Sequence, residues 1–374
     1  MFSRPPKRTP AQALLLDLLH ADGLHSTPFS PNAEPVWREA LQLADAHGLA
    51  PLLHEQSQQG ALKELPELAR RELRAARIAE LAREEKRSRA QRNALRILAG
   101  DDAKPPMTTL LLKGAASART IYPAPELRPR SDLDLLVSPL DRREALTRLF
   151  SRGYAQHEKT RGTREDEPGW HEKTLVDPET GEQIDLHFAL SQASRHRLDA
   201  QRLFAASVRE PALGAGARLL PPEEAALVCV HSLVIHELSS PMIALCDLAR
   251  LLAKAEPLAL VRQAIDVRLG RGLVLGVQLL LSLKPRRAGP FSLGGAVVDP
   301  ASLALLAAKI PLRPGVRALL LAAARRYDLE RRPAARIGQL WRKALFIDRS
   351  RDAARFAFGH ALQTLRRRAA KLTT

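Results

Sequence analysis

The sequence predicts an α+β protein that is mostly helical. A small α/β core (105–190) lies between an N-terminal helical region (1–104) and a C-terminal helical region with a basic tail (191–374). Three observations predict this. Ala, Leu and Arg dominate while aromatics make up only 4% of residues, and the dominant types lose little on entering a helix. Apolar residues recur at three-to-four spacing over both ends of the chain. Between those ends lie short apolar and alternating runs bounded by Pro and Gly, which is how strands read.

Taken in order, "PAQALLLDLLHADGL" and "PVWREALQLADAHGLAPLLHEQSQQ" read as amphipathic helices. "PELARRELRAARIAELAREEKRSRAQRNALRILAG" is one long helix closed by Gly100, and its charges of alternating sign predict a solvated face. "PPMTTLLLKG" suits a buried strand, "AASARTIY" one or two helical turns, and "PAPELRPR" a loop. "SDLDLLV" alternates and reads as a strand, and "SPLDRREALTRLFSRGY" as a helix with both stop signals. "EKTLVDPETGEQIDLHFAL" forms two alternating runs about a "DPETG" turn, the clearest hairpin signal in the chain. From Ser191 onward the pattern reads as helical, with "GPFSLGGAVVDP" as a loop between helices. No repeat of fixed period is present.

The hydrophobic fraction, 45%, is that of a globular protein and excludes wholesale disorder. Net charge is +17, which invites an anionic partner. Residues 325–374 carry 14 Lys/Arg against 4 Asp/Glu, so an acidic partner would be held at this C-terminal tail. Solvated arginine on helix surfaces is the plainer explanation. Cys229 and Cys246 fit neither a disulfide framework nor a zinc pattern and read as packing residues in a reducing cytoplasm. "MFSRPPKRTP" is basic with no signal-peptide apolar run directly after it, and no stretch is long and apolar enough for a membrane span.

Strand alternation puts Asp132 and Asp134 on one face and Leu133 and Leu135 on the other. Same-face carboxylates repel, so the strand gains nothing from them alone; a divalent cation removes the penalty. In "QIDLHF", Asp185 is a further carboxylate between Ile184 and Leu186, with His187 on its face. If the hairpin strand lies beside the Asp132 strand, three aspartates converge and can hold two Mg2+ ions (Mn2+ as a substitute) that bridge triphosphate oxygens. "LLLKGAAS" is a strand that opens into a helix and offers backbone amides to an anion. Gly114 permits close approach, Lys113 adds a point charge, and Arg128 (with Arg130) adds charge from the loop. The bland readings are a solvated strand face, an exposed lysine and a solvent-facing basic loop.

"LLKGAASA", "LRPRSDLDLLV" and "IDLHF", in that order, resemble the bacterial family called "uncharacterised nucleotidyltransferase" in the polymerase-beta-like fold superfamily. The close resemblance covers about Leu110 to Leu190 and continues more loosely through "PPEEAALVCVHSLVIHE" and "IALCDLARLL". It implies a small mixed-sheet nucleotidyltransferase core and two-metal transfer of a nucleoside monophosphate from a triphosphate to an acceptor. Asp132, Asp134 and Asp185 would be catalytic metal ligands, with Asp185 deprotonating the acceptor. Lys113, Gly114, Ser117, Arg128 and Ser131 would meet the nucleotide. His187, His231 and Asp247 would support them from behind, the last two by pairing across helices. The superfamily has Gly-Ser or Gly-Gly where this chain has Gly114-Ala115, so a phosphate-binding hydroxyl is missing unless Ser117 replaces it. The acceptor (small molecule, peptide or protein) is not encoded in any motif. A catalytically inert basic helical module that holds RNA or an acidic protein is the rival reading, and terminal phosphoryl transfer a third.

Overall fold

The computed structural model describes residues 8–20, 33–62, 65–100, 106–157, 171–190, 196–236, 240–283 and 291–324. The basic tail and most of the polar stretch "QHEKTRGTREDEPGW" lie outside the described residues. The protein is α+β and mostly helical, with 13 helices and a mixed seven-stranded sheet among the described residues.

Four helices precede the sheet: α1 (Pro10–Leu19), α2 (Glu34–Ala46), α3 (Ala50–Gln58) and α4 (Glu67–Ala99). Thr9 opens α1 with a capping box shared with Gln12, and Gly100 at φ 84° ends α4. The 33 residues of α4 span about 50 Å. Its charges are not all solvated, contrary to the alternating pattern. Glu80 and Glu84 are buried and bind Arg87 and Arg130, because the helix lies against the loop that precedes the second strand.

The sheet is built from β1 (Thr109–Leu111), β2 (Leu133–Val137), β3 (Ala155–Gln156), β4 (Glu172–Val176), β5 (Gln183–His187), β6 (Val208–Arg209) and β7 (Ala217–Leu219). Their order is β3-β4-β5-β2-β1-β7-β6. β2 runs parallel to β5 and β1 parallel to β7, and the other neighbours are antiparallel. Helix α5 (Lys113–Thr120) leaves β1 directly. One 3-10 turn, Pro125–Leu127, interrupts the proline-rich loop, and α6 (Arg142–Phe150) follows β2. The hairpin expected around "DPETG" is β4–β5, with Asp177 accepting the amides of Glu179 and Thr180 in its turn.

Past Ser191 the helical reading needs correction. α7 (Ala200–Ala206) is followed by the β6–β7 hairpin, which joins the sheet. After α8 (Pro222–Ile235), α9 (Ile243–Leu252), α10 (Pro257–Asp266) and α11 (Gly270–Leu283), the supposed "GPFSLGGAVVDP" loop contains a hairpin, β8 (Phe291–Leu293) and β9 (Ala296–Val298). Gly294 and Gly295, at φ 58° and 80°, make its two-residue turn. Strands of two or three residues show no periodicity for a sequence reading to detect. α12 (Pro300–Lys309) and α13 (Pro314–Ala324) close the described chain.

Alternation divides the sheet into two faces. Leu111, Leu133, Leu135, Val137, Ile184 and Leu186 pack with Ala94, Leu95 and Leu98 of α4 and with Leu146 and Leu149 of α6. Leu110, Leu112 and Leu136 instead join the large helical core contributed by both ends of the chain. The polar residues of β2 and β5 stand on this second face, where the strands meet α5.

Candidate active site

The parallel register of β2 and β5 sets Asp134 directly opposite Asp185. Directly opposed residues in a sheet have Cβ atoms about 5 Å apart, so the sequence's condition for convergence is met. Asp132 lies just before β2, close enough for Asp134 and Asp185 to act on its carboxyl. On β5's other side Thr174 of β4 stands opposite Asp185 and hydrogen-bonds it. The Asp185 Oδ1 atom is buried with no hydrogen-bond partner.

Lys113 occupies the middle of this group. It begins α5 after the extended Leu112, and its own φ is 45°. Its Nζ donates to Asp134 Oδ1 at 2.6 Å, and the same oxygen lies 2.8 Å from His187 Nε2. His187 Nδ1 faces Glu172 Oε2 of β4 at 3.3 Å. Glu172 and Thr174 were missed in the sequence. Their signal was the alternation of "EKTLV", which puts both on the Asp185 face once the hairpin register is known.

The electrostatics separate the three aspartates. Burial, with Asp134 and Asp185 nearby, pushes the Asp132 carboxyl up to about 6. Asp185 is also raised, chiefly by burial and then by Asp134 and Glu172, against the Thr174 hydrogen bond. Burial acts on Asp134 in the same sense, but Lys113 and His187 outweigh it and hold that carboxyl well below the usual range. Lys113 is raised, since Asp134, Asp132 and Glu172 overcome its own burial.

The remaining sequence candidates fall into distinct places. Gly114 is tightly enclosed: a Cβ there would lie 3.0 Å from Arg128 Nη1 and 3.3 Å from Arg130 Cβ. Arg128 is bound to Asp247 by three hydrogen bonds of 2.6–3.1 Å, and Asp247 also accepts from the Tyr122 hydroxyl at 2.8 Å. Asp247 thus receives Arg128 and Tyr122, and His231 sits edge-on to His196 with ring centroids 5.4 Å apart. Ser117 is buried in the second turn of α5. It lines a cavity of about 50 Å³ with Lys113, Arg128, Cys229, Ser232 and Asp247. Ser131 is exposed and hydrogen-bonds Asp132. Arg130 is buried against Glu84 at 2.8 Å and cannot face solvent from the loop.

Among the described residues no group of three or more His, Cys, Asp or Glu side chains is arranged to hold a metal. As they stand, Asp134 is committed to Lys113 and His187. The donor set nevertheless fits a hard cation. Asp132, Asp134 and Asp185 lie near enough to act on one another, and Asp185 has a buried oxygen with no partner. Asp132, Asp134 and Asp185 are the residues that would hold it.

The described fold is α+β, with two carboxylates in register beside a strand-to-helix turn. The chain belongs to the family described as uncharacterised nucleotidyltransferase, whose model matches residues 33–283, and it is an enzyme that transfers nucleotidyl groups. The match begins at the N-terminal helices and runs through α11, well beyond the segment that carried the resemblance. No curated protein and no solved structure matches the chain.

Proposed function

We propose that the protein is a metal-dependent nucleotidyltransferase that moves a nucleoside monophosphate from a nucleoside triphosphate to an acceptor hydroxyl. The register that places Asp134 beside Asp185, with Asp132 just before the strand, carries this reading. Two bound Mg2+ or Mn2+ ions would neutralise triphosphate oxygens and acidify the acceptor hydroxyl. Lys113 and the first amides of α5 would bind phosphate oxygens. His187 holds Asp134 in orientation, and Ser131 does the same for Asp132. Asp185 Oδ1, buried and without a partner, would take the acceptor's proton as its oxygen attacks the α-phosphorus. The bond from the α-phosphorus to the bridging oxygen then breaks, and pyrophosphate leaves. Arg128, held by Asp247, acts on the nucleotide through the loop it orders over Gly114. The acceptor is a small molecule, peptide or protein, with any acidic partner held at residues 325–374.

Among the described residues no helix is long and apolar enough to cross a membrane. The free Cys229 and Cys246 support a reducing, cytoplasmic setting.

The test is transfer of label from α-labelled triphosphates into a cell extract with Mg2+. Wild type is expected to label an acceptor, and Asp132→Ala, Asp134→Ala and Asp185→Ala to lose at least about 100-fold. Unchanged labelling in folded Asp134→Ala would sink the proposal. Salt-sensitive RNA binding that survives loss of all three aspartates, with no labelling, would instead favour the inert basic module.

A further inference from the structure

We propose that Lys113 is an internal cation that competes with divalent metal for Asp134, so that metal binds tightly only together with the triphosphate that draws the lysine away. This inference rests on the metal-site reading above.

Four carboxylates, Asp132, Asp134, Asp185 and Glu172, act on one another or on Lys113 in this patch. Same-sign groups this close destabilise the fold unless a cation stands among them. The Lys113 ammonium supplies it, at 2.6 Å from Asp134 Oδ1, with its side chain only 23% exposed. That oxygen also faces His187 Nε2, so a metal that takes Oδ1, or both oxygens together, must replace the lysine there.

The backbone indicates that this placement is demanded by the side chain. Lys113 has φ 45°, in the left-handed region that non-glycine residues rarely adopt. A glycine would accept that φ without strain, and one stands immediately after it, at a position whose φ is not positive. The chain thus keeps a lysine where the backbone favours glycine. Its gain is the ion pair to Asp134.

The same geometry supplies the release. Lys113 is the first residue of α5, at whose N-terminus the triphosphate would bind, so a small swing of its four-carbon stem takes the ammonium from carboxylate to phosphate. Charge stays balanced in both states. Without nucleotide the lysine neutralises Asp134, and with nucleotide it neutralises phosphate while metal replaces it on the carboxylates. Lysine is suited to this because its charge is a point on a flexible stem.

The test is Mn2+ binding to the full chain, followed by electron paramagnetic resonance with and without a non-hydrolysable triphosphate. Lys113→Met should bind Mn2+ without nucleotide at least about tenfold more tightly than wild type, about 1.4 kcal/mol. Adding the triphosphate should tighten Mn2+ binding strongly in wild type and weakly in Lys113→Met. Lys113→Arg, which keeps the charge, should retain weak binding in the absence of nucleotide. A merely structural lysine would give the opposite sign, since its loss would weaken metal binding in both conditions. Binding by Lys113→Met that is unchanged or weaker without nucleotide overturns the exchange. Absence of Mn2+ binding by wild type even with triphosphate, or binding untouched by Asp134→Asn, overturns the metal reading itself and the exchange with it.

Discussion

Two aspartates two residues apart have been given opposite charge preferences. Asp132 is raised to about 6, so the native state keeps its proton more tightly than the unfolded chain does. Its contribution to stability is present below about pH 4 and is lost as pH rises through about 6. In metal-free protein Asp132→Asn should therefore add about 2 kcal/mol at pH 7, with the gain gone by pH 4. Urea unfolding across that range with a chelator present reads this directly, and a flat difference would contradict it. Asp134 runs the other way: its depressed carboxyl stabilises the fold above the ordinary carboxylate range and loses that contribution as pH falls. Asp134→Asn should cost about 2 kcal/mol at pH 7, since it leaves Lys113 without its partner, and the cost should shrink in acid. The three aspartates were legible as a group only on condition that the hairpin strand lay beside β2, which the register meets; the seat of Lys113 on Asp134 was not legible. Their different ionisation was not legible. It depends on the lysine's left-handed turn and on His187 and Glu172, whose positions follow from the pairing of β4, β5 and β2.

The basic loop between α5 and β2 is held from two sides. Arg128 is tied to Asp247 of α9 and Arg130 to Glu84 of α4. Asp247→Ala strands a buried guanidinium and should lower stability by about 3–5 kcal/mol in a denaturant melt. A double-mutant cycle with Arg128→Met should return a large part of that loss as coupling; additive effects would show that the pair does not act as one unit. Gly114→Ala adds a methyl 3.0 Å from Arg128 Nη1, so the guanidinium must shift, at a cost of about 1–2 kcal/mol. Gly216 is stricter. It has φ 79°, and a Cβ there would meet the Met107 carbonyl oxygen, beside the strand end where the Thr109 amide bonds the Gly216 carbonyl at 2.9 Å. Gly216→Ala should destabilise the β1–β7 junction more than Gly114→Ala does α5, and a smaller loss in thermal melts would contradict this. The longer elements were readable, because α4 and the β4–β5 hairpin have enough residues to show a period. β6, β7 and the β8–β9 hairpin were not. A strand of two or three residues is defined by the neighbour it pairs with, and that neighbour is remote in sequence.

At the scale of the molecule, the sheet face that carries the carboxylates also packs against both helical regions. Leu110, Leu112 and Leu136 of the site face pack into one core with residues from α1–α4 and α8–α13. This agrees with a family match that runs from residue 33 to residue 283, far past the motifs. Composition predicted the abundance of helices but not this packing. Pairing Arg128 with Asp247, 119 residues apart, needs the tertiary fold. The central claim is that the carboxylate face transfers a nucleotidyl group. Its most direct test uses a triphosphate carrying distinguishable labels on the α- and γ-phosphates, with Mg2+, cell extract, and wild-type or Asp185→Asn protein. Nucleotidyl transfer puts the α-label on the acceptor and the γ-label in pyrophosphate, and Asp185→Asn should stop both. The γ-label on the acceptor with the α-label left in a nucleoside diphosphate would contradict the claim, as would α-transfer that is unchanged in Asp185→Asn.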